Sequence, residues 1–254
     1  MFAFQFMVFP EVLWFHEPMK LDTNLSPERL LTAYLIAGFI LSFAAGLFFE
    51  IISHKVFNSP NVVAMDRFGQ QVALAHQSYG LTAIMKLVSD VGSPVAMGCF
   101  SIIVVIVLVR SGSHRRLVDF STTMGGGVLL NILLKNDYHR MRPDFFPPLV
   151  RAHGYSFPSG HAMGAMLFFG SMAYVAYFTF EKSRALRWIT IFVCVAWILL
   201  IGASRVYLGV HYVSDVLAGY AAGFGWMMIC LTGTELWIRW RDRRRSGSLN
   251  FRSK

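Results

Sequence analysis

Charge is scarce in this chain of 254 residues. Only 15% of the residues are Asp, Glu, Lys or Arg, against about 25% in an average soluble domain. Hydrophobic residues make up 55%, and the mean hydropathy is +0.51. The composition therefore excludes an ordinary soluble enzyme and indicates an integral membrane protein. Because the apolar runs are continuous and do not alternate, they exclude a β-barrel and favour a helical bundle.

Cysteine and metal-ligand motifs are also scarce. The three cysteines, Cys99, Cys194 and Cys230, all lie within apolar runs, and their odd number argues against a disulfide framework. We interpret them as small buried hydrophobic residues. No HExxH motif or paired-carboxylate spacing occurs, so the sequence predicts neither a metal ion nor another cofactor.

Six apolar stretches approach or exceed the roughly 20 residues that a spanning helix needs. They cover residues 31–52, 92–109, 117–134, 158–180, 188–203 and 213–238. We predict an all-α fold, a six-transmembrane-helix bundle, as one domain over residues 31–238. The mixed stretch 58–90 is predicted to be an extramembrane loop with an amphipathic helical part.

The two ends of the chain are predicted to lie outside this bundle. Residues 1–30 are expected to form an interfacial segment, because the apolar start lacks the basic residues of a cleavable signal peptide. Residues 239–254 form a basic tail. With both termini cytoplasmic, the inner segments hold 15 of the 23 Lys and Arg residues, as the positive-inside rule requires. This topology explains the net charge of +9 without a nucleic-acid partner.

Three spaced clusters in the second half of the chain carry the chemistry. The first is Lys135, six residues, then Arg142-Pro143. The second is Pro158-Ser159-Gly160-His161. The third is Ser204-Arg205, five residues, His211, three residues, then Asp215. All three map to the outer ends of predicted spans, so we expect one active site at the outer membrane face.

The four-residue spacing of His211 and Asp215 places both on one face of a helix. Asp215 can then accept a hydrogen bond from one imidazole nitrogen and leave the other as a nucleophile. The alternative interpretation is an outward-facing histidine beside an aspartate that only stabilises a helix N-terminus.

The second cluster opens the fourth predicted span, with proline in the first helical turn. Gly160 leaves the N–H groups of that turn accessible, which is typical of an anion site. His161 is then placed to protonate a departing oxygen. The alternative is an ordinary helix cap beside an incidental histidine.

Lys135, Arg142 and Arg205 are cations from three different segments. Each by itself is explained by snorkelling to the membrane interface. Together they match the needs of phosphoryl transfer, which depends on positioning and on stabilising charge over three oxygens.

The three clusters, in this order and spacing, resemble the signature of the type 2 phosphatidic acid phosphatase superfamily. That superfamily includes membrane lipid phosphatases and soluble vanadium-dependent haloperoxidases. Every element of the signature is matched between residues 135 and 215. The first 30 residues and the basic tail lie outside the resemblance.

The resemblance implies roles for individual residues. His211 would be the nucleophile that forms a phosphohistidine, Asp215 would orient it, and His161 would be the general acid. The phosphoryl oxygens would be bound by Lys135, Arg142, Ser159, Gly160 and Arg205, without a metal. The residues alone do not decide which histidine attacks.

The leading hypothesis is a lipid phosphatase of a bacterial inner membrane, acting on the extracytoplasmic side. Undecaprenyl diphosphate, phosphatidylglycerophosphate, phosphatidic acid and lipid A phosphates are the substrates considered. A lipid phosphotransferase, which passes the phosphate to a second lipid or sugar, is the alternative. The third hypothesis is a non-catalytic lipid-phosphate binder or transporter. The oligomeric state is left open.

Residues between the clusters allow weaker expectations. Asp66 and Asp90 have no obvious partners in the sequence. Residues expected to contact the lipid headgroup are Tyr138, His139, Arg140, Asp144 and Arg151.

Overall fold

The computed structural model describes residues 27–180 and 182–251, and these residues are helical or irregular, with no strand among them. The helices are α1 Pro27–Asn58, α2 Pro60–Ala75, α3 Tyr79–Val91, α4 Pro94–Arg110, α5 His114–Tyr138, α6 Gly160–Thr179, α7 Arg184–Tyr207 and α8 Val213–Phe251. The all-α prediction is confirmed. Most of the predicted interfacial segment, residues 1–26, lies outside the described residues.

Five of these helices contain a stretch that is long and apolar enough to cross a membrane, namely α1, α5, α6, α7 and α8. The pair α3 and α4 meets the same criteria together, bent by 47° at the break. The six-helix membrane bundle is confirmed when this pair is counted as one span. The break is built by Ser93, whose hydroxyl accepts from Ala96 N at 3.2 Å, and by Pro94, which has no N–H to offer.

The stretch 58–90 was predicted in part wrongly. It holds two helices, α2 and α3, and α3 forms the first half of the bent pair instead of a loop. The predicted start of the second span at residue 92 missed this, because α3 carries Lys86 and Asp90 and reads as amphipathic. The prediction of an amphipathic helix in this stretch agrees with both α2 and α3, since each packs on α7.

The centre of the bundle is formed by α6, α7 and α8. Helix α6 packs against both of the others, α1 runs along α8, and α5 packs on α6 and α8. Large apolar side chains on the outside remain exposed, as Phe39, Ile103 and Phe192 do at 70%, 59% and 74%. Such a surface suits lipid as solvent. Cys194 and Cys230 are buried as predicted, whereas Cys99 is exposed.

Helix α8 continues to Phe251, well past the predicted end of the last span at residue 238. The segment predicted as a basic tail is therefore helical over most of its length. Where α8 leaves the apolar region, Glu235 accepts hydrogen bonds from both Arg115 and Arg239. This ion-paired end lies opposite the end at which α5 and α7 finish and α6 and α8 begin.

Gly219 lets α6 and α8 approach closely near the end of the bundle where both helices begin. A Cβ at this position would lie 2.7 Å from the Ser159 carbonyl oxygen, a backbone atom that has no freedom to move aside. Gly219→Ala is expected to destabilise the protein by about 1–3 kcal/mol through overpacking, read as a lower Tm in detergent. Gly164→Ala is the matched control, since nothing lies within 4 Å of the added methyl group. Equal Tm values for the two variants would contradict this packing.

Candidate active site

Three cations gather at the end of the bundle where α5 and α7 finish. Lys135, in the last turn of α5, donates to the Tyr155 carbonyl oxygen at 2.6 Å. Arg142, in the loop after α5, donates to four backbone carbonyls, including that of Val210 at 2.7 Å. Arg205, in the last turn of α7, donates to the hydroxyl of Ser89 on α3. The loop and the helices thus bring the three predicted phosphate-binding cations together.

None of these three cations has a carboxylate partner within 4 Å among the described residues. Arg205 is only 5% exposed, and its Nε is buried without a hydrogen-bond partner. Buried or half-buried positive charge is unfavourable unless an anion offsets it. The cluster is therefore electrostatically suited to an anionic ligand.

His211 and Asp215 meet at the start of α8, with 3.3 Å between Nδ1 and Oδ2. The prediction that both lie on one helical face was wrong, because α8 begins at Val213 and His211 precedes it. The contact forms because Asp215, in the first turn, folds back over the helix start and accepts from Tyr212 N at 2.9 Å. Such a reach-back is a common way to satisfy N–H groups at a helix N-terminus.

His211 is buried at 2% exposure and presents its other ring nitrogen to Arg142. Its Nε2 lies 3.4 Å from Nη1 of Arg142. Burial lowers the pKa of the imidazole to about 4, and the hydrogen bond to Asp215 offsets this only in part. The ring is therefore neutral at pH 7, and with its Nδ1 proton directed to Asp215 it has a lone pair on Nε2. In this tautomer Nε2 of His211 can act as a nucleophile.

The start of α6 faces the same cluster. The helix begins at Gly160, and Ser159 caps it by accepting from Ala162 N at 3.5 Å. The prediction that Pro158 forms the first helical turn was therefore wrong, and this proline lies before the cap. Ser159 N donates to the Asp215 carbonyl oxygen at 3.0 Å, so the donor that remains on this fully buried residue is its hydroxyl.

His161, the second residue of α6, lies near enough to Arg142 and Arg205 for their charges to act on it. It is half-buried. It shares the cation cluster with His211, and the two histidines come from different helix ends. An anion bound between them can be approached by one ring while the other donates a proton.

A buried group that the sequence reasoning missed lies behind His211 and Asp215. Arg140, expected to be a headgroup contact, is 9% exposed and pairs with Asp66 and Asp215. Asp66, expected to lack partners, accepts from Arg140 Nη2 at 2.8 Å. The only sequence signal was a polar face on α2, where Asp66 and Gln70 are one turn apart between apolar residues.

Comparison with known proteins decides the family. A phosphatidylglycerophosphatase B of Bacillus subtilis (strain 168) is 32% identical over 185 residues, which cover 70% of this chain and 86% of that protein. A family model described as the PAP2 superfamily matches residues 116–239. This chain belongs to the PAP2 superfamily. The family prediction made from the three clusters is thereby confirmed.

Each further match has either a smaller coverage or a lower identity. A lipid A 1-phosphatase of Rhizobium etli is 36% identical over 119 residues, which cover 43% of this chain and 46% of that protein. The crystal structure of a transmembrane PAP2 type phosphatidylglycerolphosphate phosphatase from Bacillus subtilis has a TM-score of 0.64 and 26% identity, covering 78% of this chain and 96% of that one. Aquifex aeolicus LpxE shares the fold, with a TM-score of 0.50, 22% identity, and coverage of 64% and 92%.

The remaining predicted headgroup contacts of this PAP2 chain differ in exposure. His139, Asp144 and Arg151 are exposed. Tyr138 instead packs edge-on against the ring of Phe157, with 5.0 Å between the ring centroids. Among the described residues, no group of three or more His, Cys, Asp or Glu side chains is arranged to hold a metal ion.

Proposed function

We propose that this chain is an integral membrane lipid phosphatase that works through a phosphohistidine on His211. The observation that carries the proposal is the cluster of Lys135, Arg142 and Arg205, three cations without carboxylate partners among the described residues, of which Arg142 lies 3.4 Å from Nε2 of the neutral, buried His211. This cluster stabilises negative charge, and His211 supplies the electron pair.

In the proposed first step, Nε2 of His211 attacks the phosphorus and the bond from phosphorus to the leaving oxygen breaks. His161 gives its proton to that oxygen, which leaves as a hydroxyl or as an acid phosphate. Asp215 keeps the Nδ1 proton of His211 in place. In the second step, water attacks the phosphohistidine, His161 accepts the proton of the water, and inorganic phosphate is released.

The cations and the start of α6 hold the phosphoryl oxygens in this proposal. Arg142 and Arg205 offer planar guanidinium groups and Lys135 a point charge, which together stabilise the transition state. The Ser159 hydroxyl and the N–H groups next to Gly160 add donors at a helix N-terminus. No step needs a metal ion or another cofactor.

The proposed substrate is a lipid whose acyl chains remain in the bilayer. Exposed apolar side chains surround the bundle below the site, so a lipid can enter sideways while its phosphate reaches the cations. The names of two relatives refer to phosphatidylglycerophosphate and lipid A 1-phosphate. Phosphatidic acid also carries a terminal phosphate on a carbon-bound oxygen, whereas the terminal phosphoryl group of undecaprenyl diphosphate is bound to a second phosphate.

The proposed orientation puts the site on the extracytoplasmic side of a bacterial inner membrane. The start of α1 and the basic end of α8 lie at the end of the bundle opposite the site. Among the residues that the structure describes, that end holds most of the Lys and Arg residues, including Arg115 and Arg239. The positive-inside rule therefore makes it the cytoplasmic end.

The test is phosphate release by detergent-purified protein from the four lipid classes, with EDTA present throughout. We expect release from at least one lipid at a rate that EDTA leaves unchanged, since the three cations do the work of a metal ion. The preferred headgroup follows from the ranking of rates. Loss of activity in EDTA and its return with Mg²⁺ would contradict the metal-free mechanism.

The same assay separates hydrolysis from transfer. Recovery of the phosphate on a second lipid or sugar, with little free phosphate, would overturn the hydrolase proposal in favour of a phosphotransferase. Tight binding of these lipids without any turnover would instead favour a non-catalytic binder.

A further inference from the structure

Helix α2 carries two buried polar residues, Asp66 and Gln70, one helical turn apart. Their exposures are 2% and 1%. An aspartate is almost never buried this completely without a specific partner. The helix lies outside the residues 116–239 that match the PAP2 family model, yet both side chains point to the start of α8.

Asp66 is saturated with hydrogen bonds from two elements. Its Oδ1 accepts from Ser214 N at 2.9 Å, and its Oδ2 accepts from the Ser214 hydroxyl at 2.7 Å and from Arg140 Nη2 at 2.8 Å. The other terminal nitrogen of Arg140 donates to Oδ1 of Asp215 and to the Ser214 hydroxyl. One guanidinium thus bridges two buried carboxylates.

The two oxygens of Asp215 have separate partners as a result. Oδ2 receives the His211 ring and Tyr212 N, while Oδ1 receives Arg140. Without Arg140 the carboxylate would keep a buried oxygen without a partner and could rotate away from the ring. Without Asp66 the full charge of Arg140 would act on Asp215 and weaken its attraction for the His211 proton.

Gln70 fixes the backbone of the same histidine. Its Nε2 donates to the His211 carbonyl oxygen at 3.0 Å. Arg140 also lies 4.0 Å from the centroid of the Tyr212 ring, which restricts the guanidinium from one side. Helix α2 therefore helps to fix the turn before α8, in addition to the hydrogen bonds that Asp215 makes within that turn.

We propose that Asp66, Arg140 and Asp215 form a positioning relay that sets the orientation and charge of Asp215, and through it the reactivity of His211. Asp66 and Arg140 touch no reacting atom, so they are positioning residues and not catalytic ones. The relay rests on the proposed role of His211. It makes α2 a functional part of the enzyme.

The first test is Asp66→Asn, which keeps the size and one acceptor for Ser214 N. We expect kcat to fall about 10- to 100-fold, as for residues that orient a reactive group from behind. KM should change less than about threefold, because an interaction that matters only in the transition state leaves ground-state binding intact. Asp137→Asn, the same change at an exposed position in the last turn of α5, should match wild type.

A double-mutant cycle separates a relay from a merely structural role. If Asp66 acts through Arg140, Asp66→Asn should lower kcat less than twofold further when Arg140→Gln is already present. Independent, multiplying losses would overturn the relay. Arg140→Lys keeps the charge and is expected to fold, yet it loses the fork that reaches both carboxylates; wild-type kcat in this variant would also overturn it.

The wild type and His211→Ala are measured beside these variants. If the wild type releases phosphate in a His211-dependent manner but Asp66→Asn behaves like Asp137→Asn, the relay alone is wrong. If the wild type releases no phosphate from any of the four lipids, the proposed function is wrong and the relay falls with it.

Discussion

Replacing His211 by alanine is expected to reduce phosphate release to background. Loss of a nucleophile costs roughly 10⁶-fold in kcat when no other group takes its place, and no second ring nitrogen in the described site shares its contacts with Asp215 and Arg142. The cations remain in the variant, so the lipid should still bind. Initial rates of phosphate release, with substrate binding measured separately, check both expectations.

His114→Ala is the matched control for this experiment. His114 is exposed and begins α5, at the end of the bundle opposite the site. Its replacement should leave the rate unchanged. A His211→Ala protein that is folded, by its Tm and its elution as a single species, and that keeps the wild-type rate would remove His211 from the mechanism.

His161→Ala is expected to lower kcat by roughly 10²–10⁴-fold, the usual contribution of a general acid. The loss should depend on the leaving group. A lipid alkoxide needs the proton as it departs, whereas a good leaving group, such as the phenolate of a nitrophenyl phosphate, does not. Rates on both kinds of ester therefore test the assigned role more directly than the loss of activity alone.

The expected pattern is a large defect on the lipid and a much smaller one on the nitrophenyl ester. An equal defect on both would show that His161 does not protonate the leaving group, and would leave it a role in binding or in activating water. A wild-type rate on the lipid would exclude His161 from the chemistry altogether.

The membrane bundle and the family could be predicted from the sequence, because they depend on composition and on short residue spacings. Six continuous apolar stretches were enough for the membrane bundle, because a backbone in lipid has few alternatives to the helix. The spacing of Lys135, Arg142, His161, His211 and Asp215 was enough for the family. Spacing also put the cluster at one end of the bundle, since each residue lies at the end of an apolar stretch.

Local geometry at helix ends was harder to predict. Pro158 lies outside α6, and His211 lies outside α8, although their residue types suit a first turn equally well. Whether a chain enters a helix one residue earlier or later depends on capping, and here Ser159 and Asp215 satisfy the first N–H groups. His211 and Asp215 are in contact as predicted, although His211 lies outside the helix, because Asp215 folds back towards it.

The relay could not be predicted because its partners are far apart in the chain. Asp66 is 74 residues from Arg140 and 148 from Ser214. A buried aspartate requires a partner, but the sequence shows neither that Asp66 is buried nor which residue pairs with it. The sequence predicts Arg140 to be a headgroup contact because it lies in the stretch 136–157, but its side chain is buried and paired with two carboxylates instead.

The central claim is that phosphate passes through His211, and trapping the intermediate tests it most directly. The protein is mixed with lipid labelled in the phosphate and quenched in base within milliseconds, since a phosphohistidine survives base but not acid. His161→Ala is treated in the same way with labelled nitrophenyl phosphate, whose leaving group needs no proton, because slower water attack in the variant should then let the intermediate build up. We predict acid-labile label on the peptide that contains His211. Turnover without label on that peptide, or label on His161 instead, would contradict the account.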